Sequence, residues 1–291
     1  MIQLIWEKIK FFLKKKLLNE SLVRDRFSNV YYWNPKKLIF NKQISSNNLF
    51  LLKVFARRIN NFGDLLGPII VKKILLEKNI KGKFIYPKNK LLTIGSIIHF
   101  ASENDHIWGT GINGKIKNNF DFINLNIYSV RGPLTREILI NRGLKVPEIY
   151  GDPGILFGYF FPEYLNLEKK RKYLVIPNFN DKEFFKNSLG IKVSLPTHNL
   201  RKIIFDIAQS EIIISSSLHG IILADAFGID SVILKSNIEN PFKYKDYLLG
   251  TGREDFTFAE NLENALKSKP IEKCNFDYLK LINSFPFHLY K

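Results

Sequence analysis

The stretch EIIISSSLHGIILADAFGIDSVIL, residues 211–234, decides the fold class. Its first part, EIIISSS (211–217), has the short apolar run of a buried strand, and DSVIL (230–234) repeats that pattern. Between them, SLHGIILADAFG (217–228) has the length and composition of a helix. A strand, a helix and a second strand in this order predict a parallel sheet covered by helices.

The same alternation continues outward from this unit in both directions. Further strands are predicted at 49–55, 90–95, 106–111, 126–132, 172–179 and 191–196, and helices at 65–75, from 133 onward and at 198–210. The chain has 291 residues, which suits two α/β domains of about 100–150 residues each. We therefore predict an α/β protein with two domains.

The predicted organisation has four parts. A basic amphipathic helix and its lead-in occupy residues 1–47, the first α/β domain 48–165, the second 166–265 and a helical C-terminal tail 266–291. The segment 157–171 contains proline and a run of charges, and we predict that it is the linker between the two domains.

The N-terminal segment, MIQLIWEKIKFFLKKKL (1–17), predicts a basic amphipathic helix. Its apolar residues recur at helical spacing: Ile2, Ile5, Trp6, Ile9, Phe12 and Leu13. Such a helix either lies in the interface of an anionic membrane or packs against its own domain or a dimer partner. No apolar run reaches the roughly 20 residues of a membrane span. Glu7, Lys8 and Lys10 interrupt any signal-peptide pattern.

The formal net charge of +17 favours anionic partners, although part of it reflects a general abundance of lysine. The lysines are scattered and no nucleic-acid-binding motif is present, so we do not expect the protein to bind nucleic acid. The single cysteine, Cys274, excludes an intramolecular disulfide, as is usual in the cytosol. No pair of histidines or cysteines has metal-ligand spacing, so we expect neither a metal nor a cofactor.

Three loops that follow predicted strands are candidates for an anion site: 61–64, 130–133 and 215–220. Each places glycine or small residues between a strand and a helix, where backbone N–H groups and the helix dipole favour an anion. Because they come from both halves of the chain, we expect them to open into one cleft.

Four side chains near these turns are candidates for chemistry. The Arg131 guanidinium can hold phosphate or carboxylate, or form a surface salt bridge. His219, near the start of a helix, either acts as an acid or base near neutral pH or is satisfied locally. Asp64 caps its helix or acts in the cleft, and Asp152 acts there or belongs to a turn.

Taken together, the motifs between about residues 60 and 250 resemble those of the polysaccharide pyruvyl transferase family. The resemblance is strongest to its exopolysaccharide and succinoglycan ketal-transferase branch. It is carried by Asn61-x-Gly63-Asp64, Gly95-Ser96, Trp108-Gly109-Thr110-Gly111, Val130-Arg131-Gly132-Pro133, Gly151-Asp152-Pro153, Ser216-Ser217-Leu218-His219-Gly220, Ala224-Asp225-Ala226-Phe227-Gly228-Ile229 and Lys243-Tyr244-Lys245-Asp246-Tyr247, in that order.

The resemblance implies two Rossmann-like domains with a cleft between them, in a glycosyltransferase-B-like arrangement. It also implies phosphoenolpyruvate as the donor of a ketal formed on two hydroxyls of a sugar. The acceptor is then a cell-surface glycan or its lipid-linked precursor. We accordingly expect a cytoplasmic enzyme, peripheral at the inner face of the cell membrane and held to that anionic surface by residues 1–17.

Site roles follow from the motif positions. The predicted catalytic residues are His219, Asp64 and Arg131. The predicted donor-binding residues are Asn61, Gly63, Arg131, Gly132, Ser216, Ser217, Leu218, His219 and Gly220. The residues predicted to contact the acceptor or line the cleft are Gly95, Ser96, Trp108, Gly109, Thr110 and Asp152.

One position departs from the family pattern. Many members have arginine directly before the Leu-His pair, and here that residue is Ser217. Lys235, Lys243 or Arg253 are the cations that could replace its charge. The departure keeps open an alternative on the same fold, a nucleotide-sugar-dependent glycosyltransferase of cell-surface polysaccharide synthesis, and also a non-catalytic scaffold.

Overall fold

The structure, a computed structural model, describes residues 22–38, 56–115, 120, 122–181, 185 and 189–291. The predicted basic helix at 1–17 and the predicted strand at 49–55 lie outside the described residues. Within them, helices alternate with strands that are gathered into two larger sheets and one small pair. The prediction of an α/β fold is confirmed.

The described strands are short. They are, in chain order, β1 (Leu22–Arg24), β2 (Val30–Trp33), β3 (Lys36–Leu38), β4 (Ala56–Arg58), β5 (Leu91–Leu92), β6 (His106–Trp108), β7 (Asn126–Ser129), β8 (Arg171–Ile176), β9 (Ser210–Ser215) and β10 (Asp230–Ile233). The α-helices are α1 (Phe62–Glu77), α2 (Pro133–Ile140), α3 (Phe157–Phe160), α4 (Leu200–Ala208), α5 (Leu218–Ala226), α6 (Phe242–Gly250), α7 (Leu262–Lys267) and α8 (Tyr278–Asn283). Short 3₁₀ helices occupy Ile98–Phe100, Pro153–Leu156, Pro162–Tyr164 and Phe287–Leu289.

The first sheet has the strand order β1-β2-β5-β6-β7. β1 is antiparallel to β2, whereas β2, β5, β6 and β7 are parallel. β3 and β4 form a separate antiparallel pair. α1 packs on β2 and buries Leu66, Ile70 and Ile74. The parallel strands place the ends of β5 and β6 at one edge of this sheet.

The second sheet has the order β10-β9-β8, and all three strands are parallel. α4 connects β8 to β9, and α5 connects β9 to β10. The strand–helix–strand unit predicted for 211–234 is therefore confirmed. The strand predicted at 191–196 is wrong, because this segment makes only one bridge, from Val193 to Val175.

Two glycines lie in the loops that follow β5 and β6, inside the ranges predicted to be strands. Gly95 has φ of 95° and Gly109 has φ of 84°, and this left-handed region is open to glycine at little cost. The strands predicted at 90–95 and 106–111 accordingly shorten to Leu91–Leu92 and His106–Trp108. The residues released from the strands turn into loops at the carboxyl edge of the first sheet.

One hydrophobic core connects the two sheets. It contains Leu91 and Trp108 from the first sheet together with Ile176 and Ile213 from the second. α1 and α5 both pack on the turn Pro153–Leu156, which brings the two sheets together. The domain boundaries predicted at 47, 165 and 265 stay predictions.

The segment predicted to be a linker, 157–171, begins inside this core. Phe157 and Phe160 are buried, and the Phe157 ring meets the Phe227 ring edge-on with centroids 5.9 Å apart. Each large side chain removed from water in this way contributes about 1.5–3 kcal/mol, so the start of the segment is held in the core. Its role as a linker between two domains stays a prediction.

The C-terminal segment returns to the first sheet. The Trp108 Nε1 donates to the Leu281 carbonyl at 3.1 Å, and the Tyr290 hydroxyl donates to the Ser28 carbonyl at 2.6 Å. Tyr290 also forms an antiparallel bridge with Phe84. In the part of the chain that the structure describes, no helix has both the length and the apolarity of a membrane span.

Candidate active site

The candidate active site is a cavity of about 240 Å³ at the carboxyl ends of strands from both sheets. Seven of the predicted site residues line it: Asn61, Asp64, Gly95, Ser96, Ser217, Leu218 and His219. They come from the first turn of α1, the loop after β5 and the first turn of α5. Ligands of α/β proteins bind at such strand ends because helix N-termini and loop backbone converge there.

A larger cavity of about 490 Å³ lies at the opposite end of α5, beside Asp225, Cys274 and Tyr278. None of the predicted site residues line it. Its buried charge is already paired, because the Asp225 carboxylate accepts bonds from the Arg253 guanidinium at 3.0 and 2.7 Å. We place the active site in the smaller cavity, where several groups suited to proton transfer meet.

His219 is the second residue of α5, and its side chain is 12% exposed. Burial, together with the Lys243 and Arg131 charges, lowers the pKa of its imidazole to about 3. The ring is therefore neutral at physiological pH, which is the state of a proton acceptor. Its position depends on Gly63, since a Cβ on that residue would lie 2.0 Å from the His219 Nδ1.

Asp64 lines the same cavity from the first turn of α1 and is 6% exposed. Burial raises the pKa of its carboxyl to about 7, although a 2.5 Å hydrogen bond from the Asn61 Nδ2 and the charge of Lys243 oppose that rise. Asp64 therefore carries a proton in part of the molecules near neutral pH. A neutral base and a protonated carboxyl share one small cavity.

Lys243, from α6, is the cation of the cavity. Of the three cations suggested as substitutes for the missing arginine, Lys243 lines the cavity; Lys235 pairs with Glu260, and Arg253 pairs with Asp225. The Lys243 Nζ lies 3.0 Å from the Glu239 Oε2. Burial lowers the pKa of this lysine, and Glu239 opposes that effect.

Glu239 fixes Lys243 from the rim of the cavity. Its carboxylate also accepts bonds from the Lys115 Nζ and the Asn180 Nδ2, both at 2.8 Å. Burial would raise the pKa of Glu239, but Lys243 and the hydrogen bonds outweigh that effect and hold the pKa at about 2. Glu239 therefore remains ionised and connects the loop after β6 with the loop after β8.

Arg131 does not line the cavity. Its side chain is completely buried, and its Nε and Nη2 both lie 3.0 Å from the Asp246 Oδ2. Its Nη1 donates to the Ser96 hydroxyl and its Nη2 to the Ile112 carbonyl, both at 2.6 Å. The structure thus places Arg131 behind Ser96, where its charge acts on the cavity without reaching into it.

The remaining predicted donor-binding residues support the cavity by packing. A Cβ on Gly132 would lie 1.7 Å from the Asp246 carbonyl oxygen, and one on Gly220 would lie 2.3 Å from the Ser215 hydroxyl. The Ser216 hydroxyl accepts a bond from the Asn178 N–H at 2.9 Å. These residues let the backbone segments approach each other.

Of the residues predicted to contact the acceptor or line the cleft, some line the cavity and others lie behind it. Gly95 and Ser96 line the cavity, whereas Trp108 and Thr110 lie in the interior, where the Thr110 hydroxyl donates to the Gly95 carbonyl at 2.8 Å. Gly109 provides a left-handed turn after β6. Asp152 is completely buried behind the cavity, and its Oδ2 lies 4.0 Å from the His219 Nε2.

Several lining residues were not anticipated from the sequence. They include Trp33, His99, Asn113, Asn178, Phe179 and Glu239. The predicted strand 172–179 extended over the loop that contains Asn178 and Phe179, although β8 ends at Ile176. The Pro177-Asn178 pair was the signal for a loop there, since proline is unusual inside a central strand.

A metal centre was not expected from the sequence. Among the residues that the structure describes, no three His, Cys, Asp or Glu side chains come close enough together to hold a metal ion.

The fold is α/β and the cavity lies at strand ends, and comparison with known proteins gives the family. Residues 3–237 match the polysaccharide pyruvyl transferase family. The chain therefore belongs to the polysaccharide pyruvyl transferase family.

One relative is the succinoglycan biosynthesis protein ExoV of Rhizobium meliloti (strain 1021), which is 29% identical over 175 residues. That match covers 56% of this chain and 54% of ExoV, so it spans about half the length of the relative. No solved structure matches the chain significantly.

Proposed function

We propose that the protein transfers the pyruvyl group of phosphoenolpyruvate onto two hydroxyls of a sugar, forming a pyruvate ketal. The acceptor is a cell-surface polysaccharide or its lipid-linked precursor. Family membership supports this reaction class, and the similarity to a protein of succinoglycan biosynthesis supports a polysaccharide acceptor. The observation that carries the mechanism is that one cavity is lined by both His219, which is neutral, and Asp64, whose pKa is about 7.

The reaction needs both an acid and a base. One sugar hydroxyl adds to C2 of the donor while C3 gains a proton, which turns the methylene into a methyl group. The C2–O bond to phosphate then breaks, and the second hydroxyl adds to C2. The two hydroxyl protons balance the one gained by C3 and the one carried off by phosphate.

The proposed roles follow from the shifted pKa values. His219 is the base that accepts a hydroxyl proton, because burial keeps its imidazole neutral. Asp64 is the acid that protonates C3, because burial keeps a proton on its carboxyl near neutral pH. Environments that separate the pKa values of two neighbouring groups are a usual way to obtain an acid and a base in one site.

The donor's negative charges meet Lys243 and the first turn of α5. Ser217 and Leu218 line the cavity there, and a helix N-terminus offers backbone N–H groups to an anion. Lys243 replaces the charge that the family places at the position of Ser217. Arg131 is buried behind Ser96 and fixes the Ser96 side chain by donating a hydrogen bond to its hydroxyl.

The size of the cavity favours a small donor. A volume of about 240 Å³ lies below the range of roughly 300–1,000 Å³ typical for drug-sized ligands. A phosphorylated three-carbon acid is small enough for this volume. The family match favours pyruvyl transfer over glycosyl transfer.

The acceptor sugar is proposed to rest on aromatic rings at the cavity. Trp33 from the first sheet and Phe179 from the loop after β8 line it together, with ring centroids 6.3 Å apart and planes inclined at 70°. The apolar C–H face of a sugar packs on such rings. The two sheets are then the cores of two Rossmann-like domains in a glycosyltransferase-B-like arrangement, with acceptor and donor meeting between them.

The remaining parts of the proposal concern location. We propose a cytoplasmic enzyme at the inner face of the membrane, held to anionic lipid by residues 1–17. Each lysine near such a surface contributes about 1 kcal/mol. Removing residues 1–17 should release the protein from vesicles that contain anionic lipid, while turnover on a water-soluble acceptor continues.

A ligand-binding experiment tests the donor. We expect phosphoenolpyruvate to raise the Tm of the full chain and UDP or CMP sugars to leave it unchanged. Lys243→Gln should weaken that effect and raise the KM for the donor about tenfold or more. Lys235→Gln is the matched control, since Lys235 pairs with Glu260 at the surface, and it should behave like the wild type. A Tm shift with a nucleotide sugar alone would contradict the proposed donor.

A further inference from the structure

Two buried polar atoms face each other behind the cavity without hydrogen-bond partners. They are the Asp152 Oδ2 and the His219 Nε2, separated by 4.0 Å. Leaving such buried atoms unpaired is unfavourable, and proteins rarely do so without a reason. The cost would be recovered if the two atoms came about 1 Å closer and formed a hydrogen bond.

A hydrogen bond to Oδ1 orients the Asp152 carboxylate. Oδ1 accepts a hydrogen bond from the Gly154 N–H at 2.9 Å, at the start of the Pro153–Leu156 turn. Asp152 is completely buried and cannot rotate its carboxylate toward water. Oδ2 is therefore held toward His219.

The imidazole is confined from the opposite side. Gly63 leaves only the space that the ring fills, and the Phe62 ring meets the imidazole edge-on at 6.3 Å between centroids. Because Nε2 is buried, Nδ1 is the nitrogen left to serve the cavity. A hydrogen bond from the Nε2–H to Asp152 would leave the lone pair on Nδ1.

We propose that Asp152 is the positioning residue of His219: it accepts the Nε2–H bond, fixes the tautomer with the lone pair on Nδ1, and stabilises the imidazolium that forms when Nδ1 takes a proton. The proton comes from the acceptor hydroxyl, so this catalytic part of the inference rests on the proposed function. Catalytic hydrogen bonds are often long in a free enzyme and shorten when substrate binds.

The charges around the imidazole agree with this role. Asp152 faces it from the turn before Pro153, Asp64 from α1, Lys243 from α6 and Arg131 from the loop before α2. Burial raises the pKa of Asp152 to about 6, with the Gly154 N–H, the Arg131 charge and, least, the Gly95 N–H opposing. At neutral pH the carboxylate is thus ionised beside a neutral ring. Once the ring gains a proton, Asp152 offsets the repulsion from the two cations.

Nitrogen NMR of the ¹⁵N-histidine-labelled full chain tests the pairing without any activity assay. The chain has 5 histidines, so the spectrum is simple, and His219→Gln assigns the signal. In the wild type we expect Nε2 protonated and Nδ1 unprotonated at pH 7.5. A His219 signal with the proton on Nδ1 would overturn the inference, and this wild-type measurement requires no Asp152 variant to fold.

Substitution supplies the second readout. Asp152→Asn should change the His219 tautomer ratio at pH 7.5, because the carboxylate that accepts the Nε2–H bond is gone. Asp206→Asn is the control, since it removes another buried carboxylate that hydrogen-bonds Lys192 and Ser194 and has no contact with His219. An unchanged His219 signal in folded Asp152→Asn would overturn the proposal.

Kinetics then separate positioning from donor binding. Asp152→Asn should lower kcat about 10²–10⁴-fold with little change in the KM for phosphoenolpyruvate, as expected when an orienting carboxylate is lost. We expect the wild-type kcat to decline below about pH 6 as Asp152 gains a proton, and Asp152→Asn should lack this decline. If the His219 ¹⁵N signal depends on Asp152 while no pyruvyl transfer is found, the proposed function fails, and the pairing of Asp152 with His219 stands. A raised KM with unchanged kcat would overturn the positioning role.

Discussion

Asp64 illustrates, at the scale of a single residue, how burial prepares a group for chemistry at a cost in stability. Its carboxyl is 6% exposed and has a pKa of about 7, against the ordinary 3.8. Asn61 and Lys243 reduce the cost of its charge without cancelling it. A residue chosen for stability alone would not be ionisable here, which supports a role in proton transfer.

Asp64→Asn should change stability in a pH-dependent way. Between pH 3.8 and about 7 the folded state keeps a proton that the unfolded state has lost, so the free energy of unfolding contributed by Asp64 falls as pH rises through this window. The variant lacks this loss and should be more stable than the wild type by roughly 1–3 kcal/mol at pH 8, but not at pH 4. Urea unfolding at the two pH values measures the difference.

Asp206→Asn provides the opposite sign as a control. Burial would raise the pKa of Asp206, but hydrogen bonds from Lys192, Ser194 and Lys202 outweigh it and hold the pKa at about 2. Its contribution to stability is present above pH 3.8, so this variant should be less stable at pH 8. Equal destabilisation of both variants at pH 8 would contradict the unfavourable burial of Asp64.

At the scale of elements, α6 is attached to the start of α2 by one buried carboxylate. Asp246 accepts bonds from the Arg131 Nε at 3.0 Å, the Thr135 N–H at 2.9 Å and the Thr135 hydroxyl at 2.7 Å. Because α6 also carries Lys243, this attachment sets where the cation of the cavity stands. Arg131 thus influences the site by fixing two elements.

Arg131→Met should therefore act first on stability. Removing one partner of a buried ion pair leaves Asp246 uncompensated and costs about 3–5 kcal/mol. Chemical unfolding measures that loss, and adding Asp246→Leu should recover part of it. Lys245→Met, at an exposed position on the same helix, should unfold like the wild type. Normal stability of Arg131→Met together with lost donor affinity would instead mean that Arg131 contacts the donor.

At the scale of the whole molecule, the cavity depends on two sheets that one core holds together. The C-terminal segment contributes to this core: Phe285, Leu289 and Tyr290 are buried, and Trp108 meets the Phe285 ring edge-on at 4.9 Å. Each such side chain contributes about 1.5–3 kcal/mol by its burial. The sum is comparable with the total stability of a domain, about 5–15 kcal/mol.

Removal of residues 284–291 should consequently abolish cooperative unfolding or lower the Tm by more than 10 °C. Near-UV circular dichroism and a thermal melt check this, since Trp108 reports on the packing of the segment. Leu279→Ala, at an exposed position on α8, is the control and should melt like the wild type. A truncated chain with the wild-type Tm would show that the segment covers the core without stabilising it.

The sequence by itself determined the types of the elements and their order. Periodicity and turn residues predict β8 to β10, α1, α2 and α5 because they act over a few neighbouring residues. The same signals place 61–64 and 215–220 at strand ends, where the structure forms the cavity. The failure at 191–196 occurred where contacts with distant residues outweighed the local pattern.

Only the tertiary structure decided which charged groups meet. Arg131 and Asp246 are 115 positions apart, and Asp152 and His219 lie in separate elements, the turn at Pro153–Leu156 and α5, so no local pattern relates them. The packing of α1, α5 and α6 decides whether a charged side chain faces the cavity or an ion-pair partner. It does so because it sets both the burial of that side chain and its distance from other charges. Local sequence thus specifies the order of strands and helices. The shifted pKa values and the ion pairs around the cavity come from packing between residues that are distant in the sequence.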